Sequence, residues 1–188
     1  TTLFWGAGAT LQFIVIDWAD RALGMGLSQA SKLQGVVAVG IAIGAIMAAR
    51  RITLRGSVRV IPLGIAMGLL VPLMVLVSNL WLAVPLLVLI GACAGFFVVP
   101  MNALLQHRGH MLMGAGHSIA VQNFNENLSI LVMTGLYYVM MRCDVSIHWV
   151  ITLFGLFVSG AMYLVKRLHE ANQRAHDDVI HLDDNAHH

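Results

Sequence analysis

Six long apolar stretches dominate this chain, and they leave few folds open to it. They run from Leu3 to Trp18 (with an extension toward Leu23), Leu33 to Ala49, Val58 to Val77, Trp81 to Leu105, Ile119 to Met141 and Val145 to Val165. Each comes close to the roughly 20 residues that an α-helix needs to cross about 30 Å of hydrocarbon. The runs are continuously apolar rather than alternating, which argues against a membrane β-barrel. Only 11% of the residues are charged and 59% are hydrophobic. A soluble domain carries about 25% charge, so the apolar excess is too large for a core alone. The predicted fold class is an all-α membrane protein with six transmembrane helices. The connections are short, so sequential helices are predicted to be antiparallel neighbours.

Charge placement predicts an orientation. Arg50, Arg51, Arg55, Arg59, Arg108, Lys166, Arg167 and Arg174 fall on one side of the six spans, and Arg21, Lys32 and Arg142 on the other. The positive-inside rule makes the richer side cytoplasmic, so both ends of the chain are expected there. Trp18, Trp81 and Trp149 lie near predicted span ends, where interfacial anchors belong. Gly40 and Gly44, Gly64 and Gly68, and Gly91 and Gly95 are each spaced four apart, a pattern that lets helix backbones pack closely. Pro62, Pro72, Pro85 and Pro100 fall in or near spans, where kinks are tolerated.

One span departs from the apolar rule. Within Ile119–Met141 stand Gln122, Asn123, Asn125, Glu126, Asn127 and Ser129. Ser118, Gln122 and Glu126 are four apart and share a helix face, with Asn125 and Ser129 beside them. A carboxylate and amides in hydrocarbon are costly unless they face a bundle interior or a water-filled path. Glu126 is therefore the leading candidate for a substrate contact or a proton-linked switch; its competing role is a structural hydrogen bond to a neighbouring helix. Gln122, Asn123 and Asn127 are candidate donors to a phosphate or to exposed backbone. A second polar set lies in the first span: Gln12 in its middle, and Asp17, Asp20 and Arg21 toward its far end. Asp17 fits a headgroup-level carboxylate at least as well as a place in the path.

Other residues exclude classes of function. Cys93 and Cys143 form no disulfide framework and no paired-cysteine metal spacing. His107, His110 and His117 flank the connection between spans four and five. His169, His176, His181, His187 and His188 lie in or beside a polar tail with Asp177, Asp178, Asp183 and Asp184. This tail, residues 168–188, is expected to be solvated and disordered rather than a metal site. No metalloprotease motif, nucleotide-binding loop or intramembrane Ser/His or paired-Asp constellation is visible, so neither a metal, a cofactor, an ATP-driven motor nor enzyme activity is expected. No nucleic-acid partner is expected either. The chain starts inside an apolar span and without Met, which is expected of a piece of a longer protein.

Three runs carry a family resemblance. Gly95-Phe96-Phe97-Val98-Val99-Pro100-Met101-Asn102-Ala103-Leu104-Leu105-Gln106 resembles the end of the tenth helix of bacterial lysophospholipid transporters, members of the major facilitator superfamily. Gly114-Ala115-Gly116-His117-Ser118-Ile119-Ala120-Val121-Gln122-Asn123, followed by Glu126-Asn127, resembles the opening of their eleventh helix. Leu3-Phe4-Trp5-Gly6-Ala7-Gly8, with Thr10-Leu11 and Phe13, resembles their seventh. The resemblance implies that residues 1–167 form the C-terminal six-helix half of a twelve-helix protein in the bacterial inner membrane. The partner implied is the N-terminal half, with the site between halves at mid-membrane. The implied activity is the flipping of lysophosphatidylethanolamine and lysophosphatidylglycerol, which a cytoplasmic-side acyltransferase then re-acylates. Glu126, Gln122, Asn123, Asn127, Gln12 and Asn102 are the substrate-contacting residues expected from the polar stripe and these runs together. Where the family pattern leads one to expect a base in the seventh helix, this chain has Gln12. Two rival functions stay open at this point: a proton-coupled transporter of another small amphipathic molecule or drug, and a truncated module that docks a lipid acyltransferase.

Overall fold

A computed structural model describes residues 1–53, 57 and 59–186, and within that range the side chains of residues 108, 112, 113, 115 and 173–186 lie outside the description. Arg55 and the side chains of Arg108 and Arg174 are therefore outside the described residues. So are the side chains of His176, His181, His187, His188, Asp177, Asp178, Asp183 and Asp184 in the tail, and Val58 at the start of the third predicted span.

The described chain is helical, with no strand. Helix α1 spans Thr2–Leu23, α2 Leu27–Arg51, α3 Ile61–Leu70, α4 Leu80–Met113, α5 Ala115–Arg142 and α6 Ile147–Ala186, and a 3-10 segment, Val71–Leu76, follows α3. Five of the predicted apolar stretches fall on one α-helix each, and the described part of the third on α3 and the 3-10 segment. Their ends follow local chemistry. After α1, Gly24 takes a left-handed φ of 63° and the Met25 amide donates to the Ala19 carbonyl at 3.1 Å, satisfying a carbonyl the helix leaves open. Pro62 stands in the first turn of α3, where its missing N–H costs nothing. Pro72 cannot donate to Gly68, and there the α-helix gives way to the tighter 3-10 form. The Asn79 side chain caps α4 by accepting from the Trp81 amide at 3.0 Å.

Among the described residues, three helices are long and apolar enough to cross a membrane: Leu27–Arg51, Leu80–Met111 of α4 and Ile147–Asn172 of α6. The other three stretches fall short of that measure for identifiable reasons. Helix α1 ends in Asp17, Asp20 and Arg21, the third stretch is broken at Pro72, and α5 holds the polar run from Gln122 to Asn127. Large apolar side chains such as Val39, Ile43 and Ile46 of α2 and Leu153, Leu156 and Leu164 of α6 are exposed. Such continuous apolar helix faces belong in lipid or against another chain. Together with the three crossing helices they make this an integral membrane bundle.

The helices pack chiefly in three pairs: α1 with α5, α2 with α4 and α3 with α6. Small residues set two of these seams. A methyl at Gly44 would collide with the Ala92 carbonyl, and one at Gly95 with the Ile41 carbonyl; Gly40 and Gly91 meet the opposite backbone in the same way. The Gly40/Gly44 pair thus faces the Gly91/Gly95 pair. Gly68 lies against Gly155 and Ser159 of α6, and the Ser159 hydroxyl donates to the Ile65 carbonyl at 3.2 Å. Secondary contacts join α1 to α2, α4 to α5, α3 to α4 and α1 to α6. Exchanging α1–α3 with α4–α6 in order maps this set of pairs onto itself.

The core overturns two expectations. Trp18 is no interfacial anchor: it is fully buried with Ile14, Val15 and Ile151. Apolar burial of its large ring outweighs the indole N–H, which finds no partner. Trp81 and Trp149 are exposed, as anchors are. The loop expected between spans four and five is also reduced to Gly114, whose φ of 78° turns the chain between α4 and α5. Past Arg167 the backbone continues as helix to Ala186. That segment holds no Gly or Pro to stop it, and Lys166 pairs with Glu170 one turn along at 3.7 Å.

Candidate functional site

A cavity of about 700 Å³ lies between α1, α2 and α4, and Met67, Val71, Ile130, Phe154 and Val158 complete its lining. Its volume is that of a small-molecule site. Helix α1 contributes Phe4, Gly8, Leu11, Gln12 and Val15, a set spaced three and four apart along one face. The Phe4 ring is braced by Phe97 of α4, with centroids 4.9 Å apart. Gly8 gives the cavity room, since a Cβ there would meet nothing within 4 Å. The lining is apolar except for two glutamines. The Gln34 side-chain amide donates to the Gln12 carbonyl at 2.6 Å, tying α2 to α1 across the cavity wall. That bond leaves the exposed Gln12 side chain free for a ligand.

The polar stripe lies on the continuation of this wall. Ile130 lines the cavity from α5, and Glu126 and Gln122 follow it at successive turns of the same face. The Gln122 side-chain amide donates to Glu126 Oε1 at 2.8 Å, so the carboxylate is held by its own helix while both groups stay half-buried. On α4, Ala94 and Val98 line the cavity and Asn102 follows at the next turn. Asn102 is half-buried, and its side-chain oxygen is buried without a partner. A buried acceptor without a donor is costly, so Asn102 is suited to accept from a ligand. Helices α4 and α5 meet at Gly114, so both continuations run in one direction. The cavity is thus apolar along its length and polar beyond one end.

The remaining candidates separate. Asn123 and Asn127 are exposed on another face of α5, where the Asn127 side chain donates to the Asn123 carbonyl at 2.8 Å. Ser118 packs against Gly109 of α4, and Ser129 against Gly6 of α1; both serve the seams. Gln12 stands in the apolar cavity, away from the stripe. Asp17 accepts a hydrogen bond from the Tyr137 hydroxyl, which joins α1 to α5. Tyr137→Phe is expected to leave that half-buried carboxylate short of a donor, costing about 1–2 kcal/mol. A thermal-unfolding scan in detergent reads this as a melting point lowered by a few degrees, with the cavity unaltered. In the sequence Gln34 stands at the edge of a predicted span, where polar residues are ordinary. In the structure it lies about two turns inside α2, where its amide reaches the Gln12 carbonyl.

Fold and cavity together define an integral membrane helical bundle with an internal amphipathic site. Among curated proteins, the chain is similar to the lysophospholipid transporter LplT of Pectobacterium carotovorum subsp. carotovorum, 46% identical over 148 residues, which are 78% of this chain and 36% of that protein. It is 50% identical over 138 residues to the lysophospholipid transporter LplT of Serratia proteamaculans, covering 73% of this chain and 35% of that protein. The protein of the same name from Shigella flexneri is 49% identical over 138 residues, with the same two shares. The chain therefore spans about a third of the length of the curated relatives it matches. No family model matches the chain, and no solved structure matches it.

Proposed function

We propose that this chain is the C-terminal, substrate-binding half of a lysophospholipid transporter of the inner membrane, built on the major facilitator plan, and not an enzyme. The observation that carries the reading is the continuity of the apolar cavity with the polar faces of α4 and α5. A lysophospholipid has one acyl chain and one polar headgroup. The cavity suits the chain, and Asn102, Gln122 and Glu126 suit the headgroup. The Glu126 carboxylate would meet the ammonium of a phosphoethanolamine head, while side-chain amides donate to its phosphate. The names borne by the relatives supply the substrate class. The exchange-invariant helix pairing supports a three-plus-three repeat, the construction of each six-helix half in this superfamily. On that plan all six helical stretches cross the membrane, including the three held short by polar residues or Pro72. Both ends are cytoplasmic, the segment from residue 168 is a cytoplasmic extension, and an N-terminal half covers the open side of the cavity. An acyltransferase on the cytoplasmic side consumes the imported lipid. Transport proceeds as the two halves rock about the cavity.

Glu126→Ala tests the headgroup role. A hydrogen bond to a charged group is worth roughly 1.5–3 kcal/mol, so uptake of lysophosphatidylethanolamine into vesicles should fall about tenfold or more with unchanged expression. Uptake at the wild-type rate would remove Glu126 from the site.

A further inference from the structure

A second cavity, of about 690 Å³, lies at the other end of the bundle, between the start of α2, the end of α1 and the start of α4. Its lining is divided by chemistry. Leu33, Val36, Leu80 and Val84 form an apolar wall, and Gln29, Lys32, Ser78 and Asn79 a polar rim. Among the described residues no carboxylate pairs with Lys32; the ion pair that does form is Lys166–Glu170, at the opposite end of α6. The Asn79 side-chain oxygen is occupied by the Trp81 amide, which leaves its NH₂ to donate outward. The rim thus offers an ammonium and two side-chain amides, with the Ser78 hydroxyl beside them. Exposed Trp81 marks this end of α4 as a membrane interface. The polar stripe of α5 is at the far end of the bundle, so this is a separate place.

We infer that this cavity is a capture site for a single-chain anionic amphiphile, with Lys32 holding the phosphate and the Leu33–Val36–Val84 wall holding the start of the acyl chain. Charge complementarity selects the head: a lysine near a lipid surface attracts a phosphate, while the neighbouring amides complete its hydrogen bonds. The apolar wall is short, and its volume of about 690 Å³ is that of a small-ligand site. The first cavity has no cation, Gln12 and Gln34 being its polar side chains. Lys32 therefore supplies a positive charge that the lining of the first cavity lacks. The identification of the ligand as a lysophospholipid rests on the proposed function; the recognition of a phosphate-headed chain does not.

The test uses the full chain in vesicles of phosphatidylethanolamine, with lysophosphatidylglycerol as the transported probe and monoacylglycerol, which lacks the phosphate, as the binding control. Lys32→Gln should raise the KM for lysophosphatidylglycerol about fivefold while kcat holds. Lys32→Arg should restore it, high salt should shrink the difference, and monoacylglycerol binding should not move. Val84→Phe, which fills the apolar wall, should weaken both ligands. An unchanged KM in Lys32→Gln, or an equal loss for monoacylglycerol, overturns the assignment. Abolition of the difference by added diacyl phosphatidylglycerol would also overturn it, since a bilayer lipid would then hold the site. If the wild-type chain moves no lysolipid at all while Lys32→Gln still loses binding of lysophosphatidylglycerol, the proposed function fails and the phosphate site stands.

Discussion

Gly44→Val is expected to prevent assembly of the bundle. A Cβ at Gly44 would already overlap the Ala92 carbonyl oxygen, and it would stand 2.7 Å from the Ala92 carbonyl carbon and 2.8 Å from the Phe96 nitrogen. All three are backbone atoms of α4, so no side chain can rotate away. Relief requires the helices to part, and Gly40, Gly91 and Gly95 are fitted equally closely along the same seam. Without a strong hydrophobic drive between helices in lipid, close packing is what holds such a pair. Overpacking costs about 1–3 kcal/mol where the neighbours can yield; here they cannot, and the loss should reach or exceed the top of that range. Size-exclusion profiles and thermal melts in detergent check this. A monodisperse Gly44→Val protein with the wild-type melting point would show that α2 and α4 do not cross at these glycines.

Gly8→Phe should have the opposite signature: a folded protein that does not transport. Gly8 lines the apolar cavity, and a Cβ there meets nothing within 4 Å. Replacing a mid-helix glycine removes up to about 1 kcal/mol of conformational penalty. The melting point should therefore hold or rise slightly. The ring would occupy the space proposed for the acyl chain, and uptake of lysophosphatidylethanolamine should drop at least tenfold. Retained uptake with a retained melting point would show that the chain does not enter between α1, α2 and α4. The contrast between two glycines of one bundle separates a seam from a cavity, which expression levels alone would not.

Much of this architecture was legible in the sequence because hydrophobic length alone locates helices in lipid. The i, i+4 spacing of Gln122 and Glu126 likewise placed them on one face, and they are bonded there. Features that depend on a neighbouring helix were not legible. Gly40/Gly44 and Gly91/Gly95 read as packing pairs, but their facing each other is a property of the α2–α4 crossing. Gly8 carries no signal of its own; it matters because α2 and α4 leave a gap opposite it. Trp18 looks interfacial by position, yet it is fully buried in the core that neighbouring helices complete. The connection around His107–His117 reads as a polar loop, while the structure carries helix through both sides of Gly114. The site itself divides the same way: its polar end follows from residue type and spacing, and its apolar end, with Gln34, needs three helices to exist.

The most direct test of the account is the uptake of labelled lysophosphatidylethanolamine into inverted and right-side-out membrane vesicles carrying the full chain. Transport of the lipid from one leaflet to the other, dependent on the protein and reduced in Glu126→Ala and Gly8→Phe, is the predicted result. Equal rates in vesicles with and without the protein would contradict a lysophospholipid transporter.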